Sequence, residues 1–138
     1  FTDGMEPRDT YPKMAKALNK TDRHIHFNMC EWGLDDPWRW GYDTAQSWRS
    51  TGDHTGTWSS TKSIIAQRTR VPPALGGAPW GWNDMDMLET GNYKQAAHAN
   101  HKEGNMTAAE YKTEFSMWAI FASPLVVTTP ILNCSTGT

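Results

Sequence analysis

Helix-type and strand-type patterns alternate along most of this 138-residue chain, and polar residues follow each apolar run. Apolar residues spaced three and four positions apart predict helices over 10–18 and 58–70. Alternating polar and apolar residues predict strands over 24–29 and 45–49. Alternation of helices and strands is typical of a parallel sheet with crossover helices. The sequence therefore predicts an α/β fold with polar residues gathered at the carboxyl edge of its sheet.

The same alternation continues in the second half of the chain. Residues 80–88 predict a third strand with its loop, and the β-branched run 125–129 is typical of a buried parallel strand. Thr107 and Glu110 have the spacing of a capping box, which predicts a helix start. The apolar face predicted for that helix consists of Tyr111, Phe115, Trp118 and Ala122. No repeat or linker divides residues 1–138, so we expect one unit.

Composition excludes several classes of partner. The formal net charge is −2 and no basic run occurs, which argues against nucleic acid. No stretch approaches the roughly 20 apolar residues of a membrane span. Eight tryptophans are present, and flat indole faces stack on the apolar side of sugar rings as well as filling cores. Those that cluster beside glycine, proline and aspartate are Trp32, Trp38, Trp40, Trp48, Trp80 and Trp82, and they favour a sugar-lined cleft.

Carboxyl groups follow the predicted strands, where α/β folds place their chemistry. Glu31 comes after the first strand and is either a sugar ligand or a solvated loop acid. Arg49 lies four positions before Asp53, and the pair is either a surface salt bridge or an oriented acid/base carboxyl. Asp84 and Asp86 form a D-x-D pair without further ligand-spaced residues, so loop hydrogen bonding by Asp84 is favoured over a metal site. No metal is expected.

The cysteines and the glycosylation sequons bear on the compartment. Cys30 and Cys134 lack metal-ligand spacing, and we expect no disulfide between them, because they follow the first and last predicted strands. Sequons occur at Asn19, Asn105 and Asn133, where a chance match is the alternative. Together they favour a secreted or a lysosomal or vacuolar glycoprotein.

Ordered motifs across most of the chain resemble the α-galactosidases and α-N-acetylgalactosaminidases of glycoside hydrolase family 27. The motifs that carry the resemblance are Tyr11-Pro12-Lys13-Met14, Cys30-Glu31-Trp32-Gly33, Ser47-Trp48-Arg49 followed by Asp53, Trp82-Asn83-Asp84-Met85-Asp86-Met87-Leu88, Gly91-Asn92, and Phe115-Ser116-Met117-Trp118 with Ser123-Pro124-Leu125. Each motif is weak alone, but the ordered set is specific.

The resemblance implies a (β/α)₈ barrel and retaining hydrolysis of terminal α-D-galactosyl residues by double displacement, with a galactose-containing oligosaccharide as substrate and no cofactor. Asp53 matches the general acid/base. The resemblance also implies a set of substrate-binding residues, which are Glu31, Trp32, Arg49, Asp86 and Met87. Glu31 and Arg49 would lie near the galactose 2-hydroxyl.

The sequence departs from the family pattern in one important respect. The family nucleophile belongs to a Lys-x-Asp-x-Cys motif, which is absent here, and Asp3 lacks the preceding strand and the Lys and Cys partners. A further departure is an insertion-like stretch at 93–105. We therefore expect 1–138 to be a partial catalytic domain, the C-terminal half of the barrel with strands five to eight. The isolated chain should be inactive, and should need the missing N-terminal half or self-associate.

Two alternatives to an α-galactosidase remain open. A chain without the nucleophile would suit a non-catalytic carbohydrate-binding fragment. The same fold also serves α-N-acetylgalactosamine or β-L-arabinopyranose substrates. The loop after Trp32 faces the sugar 2-substituent in the family, and Leu34 and Asp35 in that loop are not small. This favours galactose over the N-acetylated sugar.

Overall fold

The computed structural model describes residues 4–92 and 106–128, in which three parallel strands form one sheet in the order β1–β2–β3. The elements are α1 (Pro7–Leu18), β1 (Asn28–Met29), β2 (Ser47–Arg49), α2 (Trp58–Arg68), β3 (Trp82–Asp84) and α3 (Ala108–Ile120), with short 3-10 turns at Pro37–Arg39 and Gly41–Asp43. Helix α2 connects β2 to β3. The prediction of an α/β fold with a parallel sheet is confirmed.

The register of the strands separates two faces of the sheet. Ser47 pairs with both Asn28 and Trp82, and Arg49 pairs with Asp84. Because successive side chains in a strand point to opposite faces, these five residues share one mostly polar face. The opposite face carries Met29, Trp48 and Asn83.

Trp48 is the centre of the core on the second face. It is fully buried and packs in a cluster with Met29, Trp38, Ala45 and Val71. Its indole Nε1 donates to Asn83 Oδ1 at 2.8 Å. A Cβ on Gly41 would lie 2.6 Å from the Trp48 ring, so the turn can pack there only as glycine. The polar side chain of Asn83 on the core face of β3 is therefore explained by its hydrogen bond to the Trp48 indole.

Helix α3 begins with the predicted capping box. Thr107 Oγ1 accepts from the Glu110 amide, and Glu110 Oε2 accepts from the Thr107 amide at 2.7 Å. The predicted apolar face is wrong at Phe115, which is 45% exposed. The buried face instead consists of Tyr111, Glu114 and Trp118. Ala122 lies beyond the helix end and is exposed, with a φ of 52°.

The predicted strands are longer than the observed ones. Of 24–29 only Asn28–Met29 is paired as a strand, and the described part of the last run, 125–128, forms one parallel bridge, from Val127 to Leu88. Burial of this run was predicted wrongly: the side chains of Leu125, Val126 and Val127 are 50%, 52% and 43% exposed. A parallel strand is buried only when helices and strands cover both faces, and the described residues supply one edge partner.

Several predictions concern residues outside the described ranges. They are the insertion-like stretch 93–105, the sequons at Asn105 and Asn133, and the pairing of Cys134. Cys30 is exposed and unbonded among the described residues, and the sequon residue Asn19 is exposed at the end of α1. None of the helices described in 4–92 and 106–128 is long and apolar enough to cross a membrane.

The capping box generates a stability prediction. Replacing Thr107 by alanine removes the side-chain acceptor of the Glu110 amide and should lower the free energy of unfolding by about 1 kcal/mol. Thr113→Ala is the matched control, because Thr113 is exposed within α3 and bonds only the Ala109 carbonyl. Urea unfolding of the full-length protein measures both. Equal losses for the two variants would contradict a role for the cap.

Candidate active site

Functional side chains gather at the carboxyl edge of the sheet. Glu31 follows β1 by two residues, Arg49 is the last residue of β2, and Asp84 is the last residue of β3. Because all three strands are parallel, their carboxyl ends meet at one edge. Asp53 and Asp86 follow β2 and β3 within four residues, so four carboxyl groups and the Arg49 guanidinium lie at this edge.

Arg49 links two of these carboxylates. Its Nη1 lies 3.0 Å from Asp86 Oδ1, and its Nη2 lies 3.1 Å from Asp53 Oδ1. Nη2 also donates to the Gly52 carbonyl at 2.7 Å. The side chains are 10% exposed for Arg49, 13% for Asp86 and 53% for Asp53. A buried cation thus holds one protected and one solvent-accessible carboxylate, and the fixed fork of the guanidinium sets their relative placement.

Asp86 has an uncommon backbone conformation that is fixed by hydrogen bonds. Its φ is 82°, in the region that non-glycine residues rarely adopt. Its amide donates to Asp84 Oδ1 at 2.8 Å, and its Oδ2 accepts from the His54 amide at 2.7 Å. Asp84 Oδ2 accepts in addition from Asn28. Asp84 is therefore a structural acceptor, while Asp86 is aimed at Arg49.

Glu31 is turned into the protein. Its side chain is fully buried, and its Oε1 accepts from the Asp35 amide at 2.6 Å. Its Oε2 is buried without a partner among the described residues. Burial raises the pKa of Glu31 to about 7, against the opposing effect of the Asp35 amide.

Two apolar side chains of the predicted set are open to solvent at this edge. Trp32 is 44% exposed and Met87 is 42% exposed. Trp32 has a φ of 65°, another left-handed non-glycine conformation. The turn at Trp32 exposes the indole while the preceding Glu31 is buried.

Two buried residues behind the site were not predicted as part of it. His54 places Nδ1 3.1 Å from the Met87 carbonyl and packs against Trp118, with ring centroids 5.1 Å apart and the ring planes tilted by 43°. Burial lowers its pKa to about 4. Glu114 was missed altogether, although its position between Tyr111 and Trp118 on the helix face indicates burial. Burial raises the Glu114 pKa to about 7.

No three His, Cys, Asp or Glu residues are grouped as metal ligands in the described part of the chain. The carboxylates of Asp84 and Asp86, the D-x-D pair, are taken up by protein donors. This edge of the sheet therefore combines hydrogen-bonded carboxyl groups with exposed apolar surface.

Comparison with known proteins agrees with this geometry. The Melibiase_2 family model, described as Alpha galactosidase A, matches residues 1–137. The chain is similar to Alpha-galactosidase 3 of Arabidopsis thaliana, with 41% identity over 138 residues that cover 100% of this chain and 29% of that protein.

Two solved structures share the fold. Alpha-galactosidase I from Mortierella vinacea superposes with a TM-score of 0.80 at 30% identity, covering 94% of this chain and 34% of that one. A β-L-arabinopyranosidase of glycoside hydrolase family 27 from Geobacillus stearothermophilus gives a TM-score of 0.80 at 22% identity, covering 94% and 30%, which shows the fold alone.

The fold matches part of the TIM-type barrel of solved glycoside hydrolase structures. The chain belongs to the α-galactosidase family, glycoside hydrolase family 27. It spans about 30% of the length of these relatives, and is an α/β piece of their barrel.

The buried carboxyl of Glu31 makes stability depend on pH. The pKa of Glu31 is about 7 in the folded state and near the ordinary glutamate value of 4.5 in the unfolded state, so between these pH values the folded state holds a proton that the unfolded state releases. Stability from this group is therefore lost as pH rises from about 4.5 to 7. Glu31→Gln should be more stable than the wild type by about 1–3 kcal/mol at pH 7.5, and by much less at pH 4.5.

Urea unfolding of the full-length protein at the two pH values measures the difference, and Glu6→Gln, at an exposed carboxyl, controls for the loss of charge. A gain at Glu31 that is the same at both pH values would contradict the raised pKa.

Proposed function

We propose that this chain is the part of a retaining glycoside hydrolase that supplies the acid/base carboxyl, and that the enzyme removes terminal α-D-galactosyl residues from oligosaccharides or glycoconjugates. The observation that carries the proposal is the Arg49 guanidinium between Asp53 and Asp86 at the carboxyl edge of the sheet. Membership of the family supports the substrate class.

Asp53 is the proposed general acid and base. Its carboxyl is half exposed, as proton exchange with a leaving group and with water requires, and Arg49 fixes its orientation. In the first step Asp53 protonates the departing glycosidic oxygen. In the second it removes a proton from the water that attacks the anomeric carbon, which restores the acid.

Arg49, Asp86 and the exposed apolar side chains are the proposed sugar-binding set. Asp86 shares Arg49 with Asp53, so a hydroxyl that accepts from the guanidinium and donates to Asp86 would be placed beside the acid. Trp32 and Met87 supply apolar surface for the ring. Glu31 is proposed to contact the 2-hydroxyl after a local opening of its loop, since its free Oε2 is buried before a ligand binds.

The nucleophile is proposed to lie outside the given sequence. A retaining enzyme needs a second carboxylate about 5 Å from the first. We assign β1, β2, β3 and the 125–128 segment to barrel strands five to eight, and the attacking aspartate to strand four. The exposed run from Leu125 to Val127 supports a further partner on that side.

Related pyranosides and the compartment complete the proposal. α-D-Galactose and β-L-arabinopyranose share the same ring hydroxyls, and the arabinopyranosidase neighbour keeps the second substrate as an alternative. Leu34 is 71% exposed in the loop expected near the 2-substituent, and its bulk disfavours N-acetylgalactosamine.

A secreted, lysosomal or vacuolar glycoprotein is proposed, which the exposed sequon at Asn19 supports.

Replacement of the acid/base residue tests the function. In the full-length protein, Asp53→Asn should lower turnover of a galactoside with a poor leaving group by roughly 10²–10⁴-fold. Azide should partly restore release from an activated aryl α-galactoside, because azide attacks the glycosyl-enzyme without base assistance. Steady-state kinetics and identification of the galactosyl azide measure this.

The control for this test is Asp43→Asn, at an exposed carboxyl in a 3-10 turn. Assays on aryl β-L-arabinopyranoside and α-N-acetylgalactosaminide separate the alternative substrates. Unchanged activity in Asp53→Asn would contradict the assignment of Asp53 as the acid/base residue. Galactose binding without turnover by the wild type would favour a non-catalytic binding protein.

The isolated 138-residue chain should be inactive and unstable. Its sheet has open edges, and the apolar run Leu125 to Val127 is exposed. Burial of apolar surface contributes about 25 cal/mol per Å², and the free energy of unfolding of a domain is only about 5–15 kcal/mol. Leaving this apolar surface exposed therefore removes a large part of the stability of the isolated chain. Sedimentation and melting curves should show association or a broad transition. A cooperative monomeric transition with turnover would contradict both expectations.

A further inference from the structure

His54 and Glu114 form a buried pair behind the site, to which the proposed function assigns no role. His54 lies in the loop after β2 and Glu114 lies on α3, and both side chains are fully buried. Their Nδ1 and Oε1 atoms are 3.5 Å apart. Buried ionisable groups are costly unless they are bonded, so the pair needs a physical account.

Both residues bond the segment that follows β3. Glu114 Oε1 accepts from the Glu89 amide at 2.9 Å, and its Oε2 accepts from the Thr90 hydroxyl at 2.5 Å. His54 Nδ1 lies 3.1 Å from the Met87 carbonyl. The two side chains thus hold the backbone of Met87 and Glu89 and the side chain of Thr90, all between Asp86 and Asn92.

The partners of His54 determine its tautomer. Nδ1 faces two acceptors, the Met87 carbonyl and Glu114 Oε1, and must carry the hydrogen. Nε2 then accepts from the Thr61 hydroxyl at 3.1 Å. Burial and the nearby Arg49 charge lower the His54 pKa, while burial and Glu89 raise that of Glu114. The imidazole is therefore neutral, and it donates in a fixed direction.

The segment held in this way includes Asp86. Asp86 has a left-handed backbone, and two donors hold it in place. The His54 amide donates to its carboxylate, and Trp118 Nε1 donates to its backbone carbonyl at 2.7 Å. Non-glycine residues in this region cost about 1–3 kcal/mol and persist only where surrounding contacts hold them. His54 and Glu114 supply such contacts immediately after Asp86.

We propose that His54 and Glu114 are positioning residues for the sugar site, which hold the 86–90 segment so that the Asp86 carboxylate meets Arg49. The inference rests on the proposed function for its consequence, galactose binding, and on the contacts alone for its structural part. Neither residue touches Arg49 through its side chain in the bonds described, so each acts through the segment.

Paired variants of the full-length protein test the proposal. His54→Phe keeps the stack on Trp118 but loses the Nδ1 donor, and Glu114→Leu loses both acceptors. Each should weaken galactose binding about tenfold to a hundredfold, since a misplacement near 1 Å costs about that much. Glu114→Gln keeps an amide oxygen for Glu89 and a polar partner for Thr90, and should recover most of the affinity.

The matched control is Arg68→Met, which replaces a buried charge on α2 that bonds the Val71 carbonyl and packs on Phe121, away from the segment. It should change the melting temperature and leave the galactose Kd within about twofold. A purely structural role for His54 and Glu114 would behave as this control does.

Two measurements separate this proposal from the proposed function. Hydrogen exchange of the peptide spanning 86–90 should be faster in His54→Phe and Glu114→Leu, and unchanged in Arg68→Met, whether or not the wild type hydrolyses galactosides. Calorimetry then gives the galactose Kd. Unchanged exchange, or faster exchange with an unchanged Kd, would overturn the positioning role. A wild type that neither binds nor hydrolyses would overturn the proposed function instead.

Discussion

The site depends on one buried cation, Arg49. It ends β2 with its side chain nearly excluded from water, so its charge needs nearby acceptors. Asp86 and Asp53 supply carboxylates, and the Gly52 carbonyl supplies a third acceptor. Removing either carboxylate would leave a buried guanidinium partly unpaired, which is more costly than losing a surface salt bridge. The loops after two neighbouring strands are therefore tied together by the same group that places the acid.

The second loop adopts an unfavourable backbone to reach Arg49. A left-handed Asp86 is tolerated because an acceptor from β3 and donors from the His54 loop and α3 surround it. Trp118 contributes the bond from α3 and also packs against the His54 ring. The helix that follows the site in sequence thus stabilises a conformation in the loop before it. The geometry of the Asp86 loop therefore depends on the packing of α3.

Much of this arrangement was predictable, since the placement of residues after strands is a rule of parallel sheets. Arg49, Asp53 and Asp86 were expected after the strands, and the structure places them at that edge, although their chemical roles remain predictions. The burial of Glu31 was not predictable, because it follows from a left-handed turn at Trp32 and from one amide, that of Asp35. Such a turn at a tryptophan has no local sequence signature.

Helix α3 was also only partly predictable from the sequence. Its start was predicted from Thr107 and Glu110, whose bonds are local. Its buried face was not, because hydrophobicity favours Phe115 over Glu114, while the Glu89 amide and the Thr90 hydroxyl favour a carboxylate. These tertiary donors turn the buried face of the helix toward Glu114. The exposed run after Leu125 has an equally non-local cause, since a β-branched pattern predicts a strand but not its neighbours.

The ionisable groups around the site divide by their exposure. Arg49 and its two carboxylates form the ion-paired group at the carboxyl edge of the sheet. Glu31 and Glu114 have raised pKa values and His54 has a lowered one, in each case because burial disfavours the charged form. Burial thus works against placing further charge behind Arg49. An additional buried anion there would compete with Asp53 and Asp86 for the guanidinium, and an additional cation would weaken its attraction for both carboxylates. Burial of the surrounding groups therefore helps to keep the Arg49 guanidinium directed at Asp53 and Asp86.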